Sequence, residues 1–585
     1  MSIVDRLRAA LSAEIATLAK TGQLGKLTAD TAASATFTLE RPKRAEHGDY
    51  ATNAAMVLTK LAGMPPRAIA DALVKALVSS EAVASADVAG PGFVNLRIKP
   101  ALLHAELDEI LRLGNGYGRA PSATRERIDV EFVSANPTGP LLVSHGRGAV
   151  YGDAVARLLE ATGNRVVREY YINDFGNQVR LFAESVRAVA ASKPVPEGGY
   201  QGDYVREVAE HARSLGALEK SDAELARTCV MLMMRGIRKT LAGLGVRFDV
   251  WFSESSLHEW GAVGVALEQL RAGNYLVEKD GATFFVGKGD QDDKDRVVRK
   301  SDGVFTYFAS DIAYHADKIS RGYDRLVNVL GADHHGYVAR IKNSLEALGL
   351  PADRFEALLF QLVFIYRNGE LVKSSKRAGN IVTIDELTDE IDAAAGRSGA
   401  GADALRFYYL SRSANTNVEF DVELAKKNSL DNPVFYVQYG HARLCSILRV
   451  AADLGVQPGR DFSRLTGDDE LALVRKLADY TQIVTQAAEA REPHRVLFFV
   501  QELARDFQSY YTLHKSDPIV PPKSLRESGA WRTSWDTELM RARLGWVDAM
   551  RTVYASALGL LGISAPERMD RPEVGDSVES GAEEG

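Results

Sequence analysis

Cysteine is nearly absent: Cys229 and Cys445 are the two in 585 residues. That scarcity excludes a disulfide framework and a cysteine-based zinc site, and it fits a reducing compartment, so a cytoplasmic protein is expected. Long hydrophobic runs are missing as well. No stretch of about 18 uncharged apolar residues occurs, which leaves no segment able to span a bilayer as a helix. The N-terminus places Ile3, Val4, Leu7, Leu11, Ile15 and Leu18 at helical spacing among charges, a pattern unlike a signal peptide. A positive surplus is also lacking, since the formal charge is -7. This rules out a uniformly basic nucleic-acid coat and leaves room for a local basic surface. Internal repeats are not evident.

What remains is a large chain with 46% hydrophobic residues. At roughly 100 to 200 residues per domain it should form three to five units. The first, residues 1–112, mixes amphipathic helices with strand-like runs at 36–39 and 93–98 and reads as a small α+β module. After a polar stretch at 120–126, Ile128-Asp-Val-Glu-Phe-Val133 alternates as a strand, a loop dense in Pro and Gly follows, and Gly146 to Thr162 has helical spacing. Further strand-like runs at 165–172 and 326–330 alternate with helices. Residues 120–395 therefore read as an α/β domain built on a doubly wound parallel sheet, with insertions around 190–295. From 396 to 569 the periodicity is helical almost throughout, as in an all-α bundle. The tail, 570–585, is acidic and apolar-poor and is expected to be disordered.

Two segments carry candidate chemistry. Leu141-Leu-Val-Ser-His-Gly-Arg-Gly-Ala-Val150 follows a strand and a Pro/Gly loop at the mouth of a helix, where free N–H groups and the helix dipole favour anions. Leu371-Val-Lys-Ser-Ser-Lys-Arg-Ala-Gly-Asn380 follows an Asn368-Gly369 turn and sets two ammonium groups three residues apart, a spacing able to clamp a triphosphate. Each alone has a bland reading, as a structural junction and as an exposed basic loop.

Together the segments resemble the paired HIGH and KMSKS signatures of class I aminoacyl-tRNA synthetases, here LVSH (Leu142 to His145) and KSSKR (Lys373 to Arg377). Leu142, Ser144, Ser374 and Arg377 depart from the pattern, while His145, Lys373, Ser375 and Lys376 keep it. The longer words Val130-Glu-Phe-Val-Ser-Ala-Asn-Pro-Thr-Gly-Pro140, Tyr170-Tyr-Ile-Asn-Asp-Phe-Gly-Asn-Gln178, Gly331-Ala-Asp-His-His-Gly-Tyr337 and Asp403-Ala-Leu-Arg-Phe-Tyr408 resemble the arginine-specific family of the bacterial type over nearly the whole chain.

The resemblance implies a Rossmann-like catalytic domain between an N-terminal tRNA-binding module and a C-terminal anticodon-binding domain of the DALR type. It implies ATP, with Mg2+ carried on it, L-arginine and tRNA(Arg) as substrates, no zinc or resident metal, and action as a monomer. His145, Lys373, Ser375 and Lys376 would be catalytic. Ser144, His145, Gly146, Gly148, Asp153, Lys373 and Lys376 would contact ATP. Glu254, Tyr307 and Asp311 would hold the guanidinium, because a cation leaving water needs charged acceptors. Asn136, Ser134 and His335 would fix the amino and carboxylate groups, although the family often has glutamine at the His335 position; Glu131, facing opposite to Val130 and Phe132 on its strand, reads either as a contact to the amino group or as a structural salt bridge. Phe93 and Asn95, two apart on one strand face, would grip a tRNA base, and Tyr436, Tyr439 and Arg443 would face the anticodon. Arginine activation is expected to need bound tRNA. A synthetase for another amino acid and a non-catalytic tRNA-binding relative are the alternative readings. The acidic pair Asp311 and Glu254 argues against the first, and the retained lysines against the second.

Overall fold

The computed structural model describes residues 3–42, 44–119, 125–287, 296–372 and 382–570. Lys373, Ser375 and Lys376 therefore lie outside the described residues, as do most of the acidic tail and most of the 120–126 stretch.

At the centre is a five-stranded parallel sheet ordered Phe355–Phe360, Arg325–Gly331, Arg127–Glu131, Arg165–Ile172, Val250–Ser253. The chain starts in the middle strand, builds outward to one side, then returns to build the other. This reversal opens a crevice at the carboxyl ends of Arg127–Glu131 and Arg325–Gly331, where sheets of this kind take ligands. Val130, Val327 and Val329 are buried because helices cover both faces. One of them, Val143–Ala161, is enclosed on nearly every side, and its glycines explain how. A Cβ at Gly146 would sit 2.8 Å from the Tyr409 ring, at Gly148 2.9 Å from Phe360, and at Gly152 2.3 Å from Phe132.

Two regions differ from expectation. The segment 190–295 is not simply inserted matter: Val250–Ser253 is the outer strand of the main sheet, in register with Glu169–Ile172. The extra helices begin earlier, at Asn177–Ala190, and continue as Asp203–Ser214 and Asp222–Gly243. They enclose their own core of Phe182, Val186, Val205, Leu225 and Cys229. The stretch after 396 is likewise not all helical, since Val418–Asp421 pairs in parallel with Val363–Arg367. Long helices then follow at Pro433–Asp453, Asp468–Ala490, His494–Leu513 and Thr537–Leu561.

The N-terminal residues form an antiparallel sheet ordered Leu39–Glu40, Tyr50–Thr52, Phe93–Ile98, Val83–Ala89 with helices on one face. It docks on the C-terminal helices through Arg41 to Asp479 (2.6 Å) and Arg475 to Asp49 (2.6 Å).

Candidate active site

The crevice is edged by a strained corner. Val133 and Ser134, just past the central strand, have φ of 67° and 39°. Non-glycine residues in this region cost about 1–3 kcal/mol each and persist where their surroundings over-determine them. Here Ser134 Oγ donates to Glu131 Oε1 (3.1 Å) and accepts from the Tyr171 N–H (3.1 Å), while Tyr170 Oη donates to the Ala135 carbonyl (2.8 Å). The corner turns the chain toward Asn136, whose amide donates to Gln178 Oε1 at 2.8 Å. His335 opens the helix His335–Ala347 across the crevice and is exposed.

Glu131 itself is committed. Its Oε2 accepts from Lys318 Nζ (2.6 Å) and from the Asn328 amide (3.0 Å). Lys318 is wholly buried and also lies 2.7 Å from Asp129 Oδ2, so the two carboxylates hold the ammonium charged against the pull of burial. Alongside, Glu169 takes a forked pair of bonds from Arg321 (2.6 and 2.9 Å) and a third from Tyr314 Oη (2.6 Å). Glu131 is thus part of a compensated network beneath the crevice: of its two readings, the structural salt bridge is the one seen, and a contact to the substrate amino group is not.

Glu254 and Asp311 are in the opposite condition. Glu254 follows the outer strand and is 2% exposed, and burial pushes its carboxyl up to about 7. Its neighbours are mostly neutral: Ser310, Tyr171, and the Asn173 amide at 3.0 Å in the orientation that satisfies both of its ends. His258 Nε2 is 3.9 Å away, and burial holds that imidazole below its ordinary value. Asp311 lies one turn after Tyr307 on the helix Tyr307–Ser320. Burial pushes its carboxyl well up, Glu131 and Glu254 push it further, and Arg340 draws it back. Among the described residues its carboxylate makes no ion pair. Tyr307 is half exposed beside Glu254, and burial raises Tyr171 and Tyr337, with Asp311 and Glu131 pushing both further and Glu254 also pushing Tyr171. The result is an acidic recess beside tyrosines, in which no described Lys or Arg forms an ion pair with Glu254 or Asp311.

The LVSH segment pairs with the chain at 382–384, just past the undescribed 373–381. The Ile384 N–H donates to the Leu141 carbonyl (3.0 Å) and the Val143 N–H to the Val382 carbonyl (3.2 Å), with Leu142 opposite Thr383. On the other flank of the undescribed lysines, Asn368 and Gly369, at φ 52° and 78°, turn Val363–Arg367 into Glu370–Leu371. His145 lies in the first turn of its helix, and its Nδ1 accepts from the Leu142 N–H at 2.9 Å. A neutral ring held so carries its proton on Nε2, which makes that atom a donor.

Three expected ATP contacts are corrected. Gly146 and Gly148 are buried, and their missing side chains make room for Tyr409 and Phe360. Asp153 is also buried, bonded by Arg406 (2.5 Å) and Arg157 (2.7 Å), and is closed to a nucleotide. Ser144 stays exposed at the helix start.

Phe93 and Asn95 lie on the open face of their strand, with Phe93 39% exposed. In the C-terminal domain, Arg443 lies between two rings, 4.9 Å from the centroids of both Tyr439 and Tyr511, and Phe435 stacks on Tyr439 at 5.8 Å. Tyr436 instead packs against the core. Tyr511 was missed by sequence reasoning, and its one signal was an aromatic pair, Tyr510-Tyr511, near the end of a helical run.

Comparison with known proteins bears on this arrangement. Residues 106–398 match the catalytic domain of class I tRNA synthetases (R), residues 5–98 the arginyl tRNA synthetase N-terminal domain, and residues 437–569 the DALR anticodon binding domain. The chain belongs to the arginyl-tRNA synthetase family. An arginine–tRNA ligase of Geobacter sp. (strain M21) is 44% identical over 547 residues, covering 91% of this chain and 94% of that one. One from Thioalkalivibrio sulfidiphilus is 41% identical, covering 97% and 100%. The solved arginyl-tRNA synthetase of Thermus thermophilus superposes with a TM-score of 0.72 at 25% identity, over 96% of this chain and all of that one. The family's catalytic domain thus spans the acidic recess and the paired signatures, and its anticodon-binding domain spans the Tyr439–Arg443–Tyr511 stack.

Proposed function

We propose that this protein is an arginine–tRNA ligase that activates L-arginine with MgATP in the cytoplasm and transfers it to the 3' end of tRNA(Arg). The observation that carries the reading is the acidic recess: Glu254 is buried, Asp311 is near enough for Glu254 to push its carboxyl up, and among the described residues Asp311 makes no ion pair while Glu254 has only the His258 imidazole at 3.9 Å. An isolated buried carboxylate is costly, and a planar guanidinium offers both the charge and the paired donors to offset it. Tyr307 closes over that group. Asn136 and His335, on the two banks of the crevice, orient the ammonium and carboxylate.

The arginine carboxylate then attacks the α-phosphate of ATP, and pyrophosphate leaves. Nε2–H of His145 and the Ser144 amide at the start of the helix Val143–Ala161 donate to phosphate oxygens. Lys373, Ser375 and Lys376 follow the charge onto the pyrophosphate. In the second step the terminal hydroxyl of the tRNA attacks the arginyl carbonyl and AMP leaves. Positioning and electrostatics suffice for both steps, with no covalent enzyme intermediate. Phe93 and Asn95 grip one tRNA region, and Tyr439, Arg443 and Tyr511 stack on the anticodon. Every residue of the reading comes from one chain, so a monomer is sufficient.

The test is aminoacylation of unfractionated tRNA with labelled arginine, with lysine and citrulline as competitors. Arginine alone should be charged, because lysine lacks the planar fork and citrulline lacks the charge. Charging of another amino acid, or tight tRNA binding without charging under any substrate condition, would refute it.

A further inference from the structure

The helix Ala400–Leu410 carries the Asp403-Ala-Leu-Arg406 word, and its side chains reach in two directions. Toward the nucleotide site, Tyr409 Oη donates to the Val143 carbonyl (2.7 Å) and its ring fills the space left by Gly146. Arg406 Nη2 donates to Asp153 Oδ2 (2.5 Å). Val143 and Asp153 lie about three turns apart on one helix, so that helix is gripped at its start and again near its middle. His145 sits within the gripped span.

Toward the C-terminal domain, Asp403 Oδ1 accepts from the Ser564 N–H (2.8 Å), and its Oδ2 from Ser564 Oγ (2.5 Å) and the Gln438 amide (2.8 Å). Gln438 is buried and adjoins Tyr439 on the helix that presents the Tyr439–Arg443–Tyr511 stack. Arg406 spends its remaining donors on the Leu561 carbonyl (2.8 Å) and the Leu244 carbonyl (2.9 Å). It lies flat on Gly562, where any Cβ would meet its Nη2 at 2.2 Å. One guanidinium therefore bonds three separate parts of the chain: the signature helix, the end of the longest C-terminal helix, and the end of the helix Asp222–Gly243.

We infer that Arg406 and Tyr409 are positioning residues for the ATP step. They set the signature helix, and with it Nε2 of His145, from the interface with the C-terminal domain. Both side chains are buried and touch no substrate, so they act through Val143 and Asp153. The inference rests on the proposed ligase reading.

Full-length Tyr409→Phe and Arg406→Lys are compared with the unaltered protein in arginine-dependent ATP–pyrophosphate exchange with tRNA present, together with Tm and tRNA affinity. Tyr409→Phe keeps the ring against Gly146 and loses only the bond to Val143. It should lower kcat about 3- to 10-fold, with Tm within a few degrees and the tRNA Kd within about twofold. Arg406→Lys keeps a charge for Asp153 but cannot serve three sites at once, and it should lower kcat further. If it fails to fold, Tyr409→Phe alone decides. Unchanged kcat in Tyr409→Phe, or a loss that follows Tm and tRNA affinity downward together, would overturn the inference. An unaltered protein with no arginine-dependent exchange would instead overturn the ligase reading on which it rests.

Discussion

Two groups of carboxylates lie near the carboxyl ends of the central sheet, and they differ in what faces them. The lower group, Asp129, Glu131 and Glu169, is matched by Lys318 and Arg321 at 2.6 to 2.9 Å. The upper group, Glu254 and Asp311, meets tyrosines, a serine and an amide, with a His258 imidazole at 3.9 Å and Arg340 acting from a distance that forms no ion pair. Glu254 is as deeply buried as the lower group, and Asp311 is partly buried. In the lower group the chain supplies the opposite charge, and the acids hold the sheet to its covering helix. In the upper group no such pair forms among the described residues, and the proposed function leaves that charge to the substrate guanidinium. Compensation, more than burial or perturbed titration, separates a structural acid from a binding one.

Lys318→Met should break the lower group with the largest effect. Two buried carboxylates lose their cation, and unfolding free energy should fall by about 3–5 kcal/mol in denaturant titration. A loss under about 1 kcal/mol would erase the distinction between the groups. Asp311→Ala should do the reverse: kcat/KM for arginine falls by a factor on the order of 10³ while the unfolding midpoint holds or rises. Unchanged kcat/KM would reject the recess as the guanidinium site.

Glu254→Gln sharpens the contrast through pH. The carboxyl is raised from 4.5 to about 7 by burial, so its ionised form is the destabilising one. The penalty is present in full above about pH 7, fades as pH falls, and is gone below about 4.5. The variant should therefore be more stable than the unaltered protein at pH 8, by about 1–3 kcal/mol, and lose that advantage toward pH 4.5, while arginine use drops. Equal stability at pH 8 would mean that the acid is compensated after all. In the unaltered protein, arginine binding near neutral pH should release protons, visible as a buffer-dependent heat in calorimetry.

The parts legible in sequence were those fixed by local chemistry. The Asn368-Gly369 turn is such a case, because its two positive φ angles demand those residues. The strand, loop and helix that carry His145 were legible for the same reason. The strand Val250–Ser253 was not: four residues between helices carry no period of their own, and only pairing with Glu169–Ile172 makes them a strand. Lys318 reads in sequence as one more solvent-facing cation on a helix, and its burial depends on Asp129 and Glu131 far back in the chain. Asp153, which the resemblance assigned to ATP, was not legible either, since its partner, Arg406, belongs to another part of the chain. Gly146 and Gly148 suggested room for a nucleotide, and the room is taken by aromatic rings.

The bonds joining Leu141 and Val143 to Val382 and Ile384 run between main-chain atoms. They constrain loop length and leave side-chain identity alone. A protein stitched in this manner can exchange the letters of LVSH, as this chain has done, without losing its hold on residues 382–384. Inserting or deleting a single amino acid in either loop would disturb it far more than rewriting several.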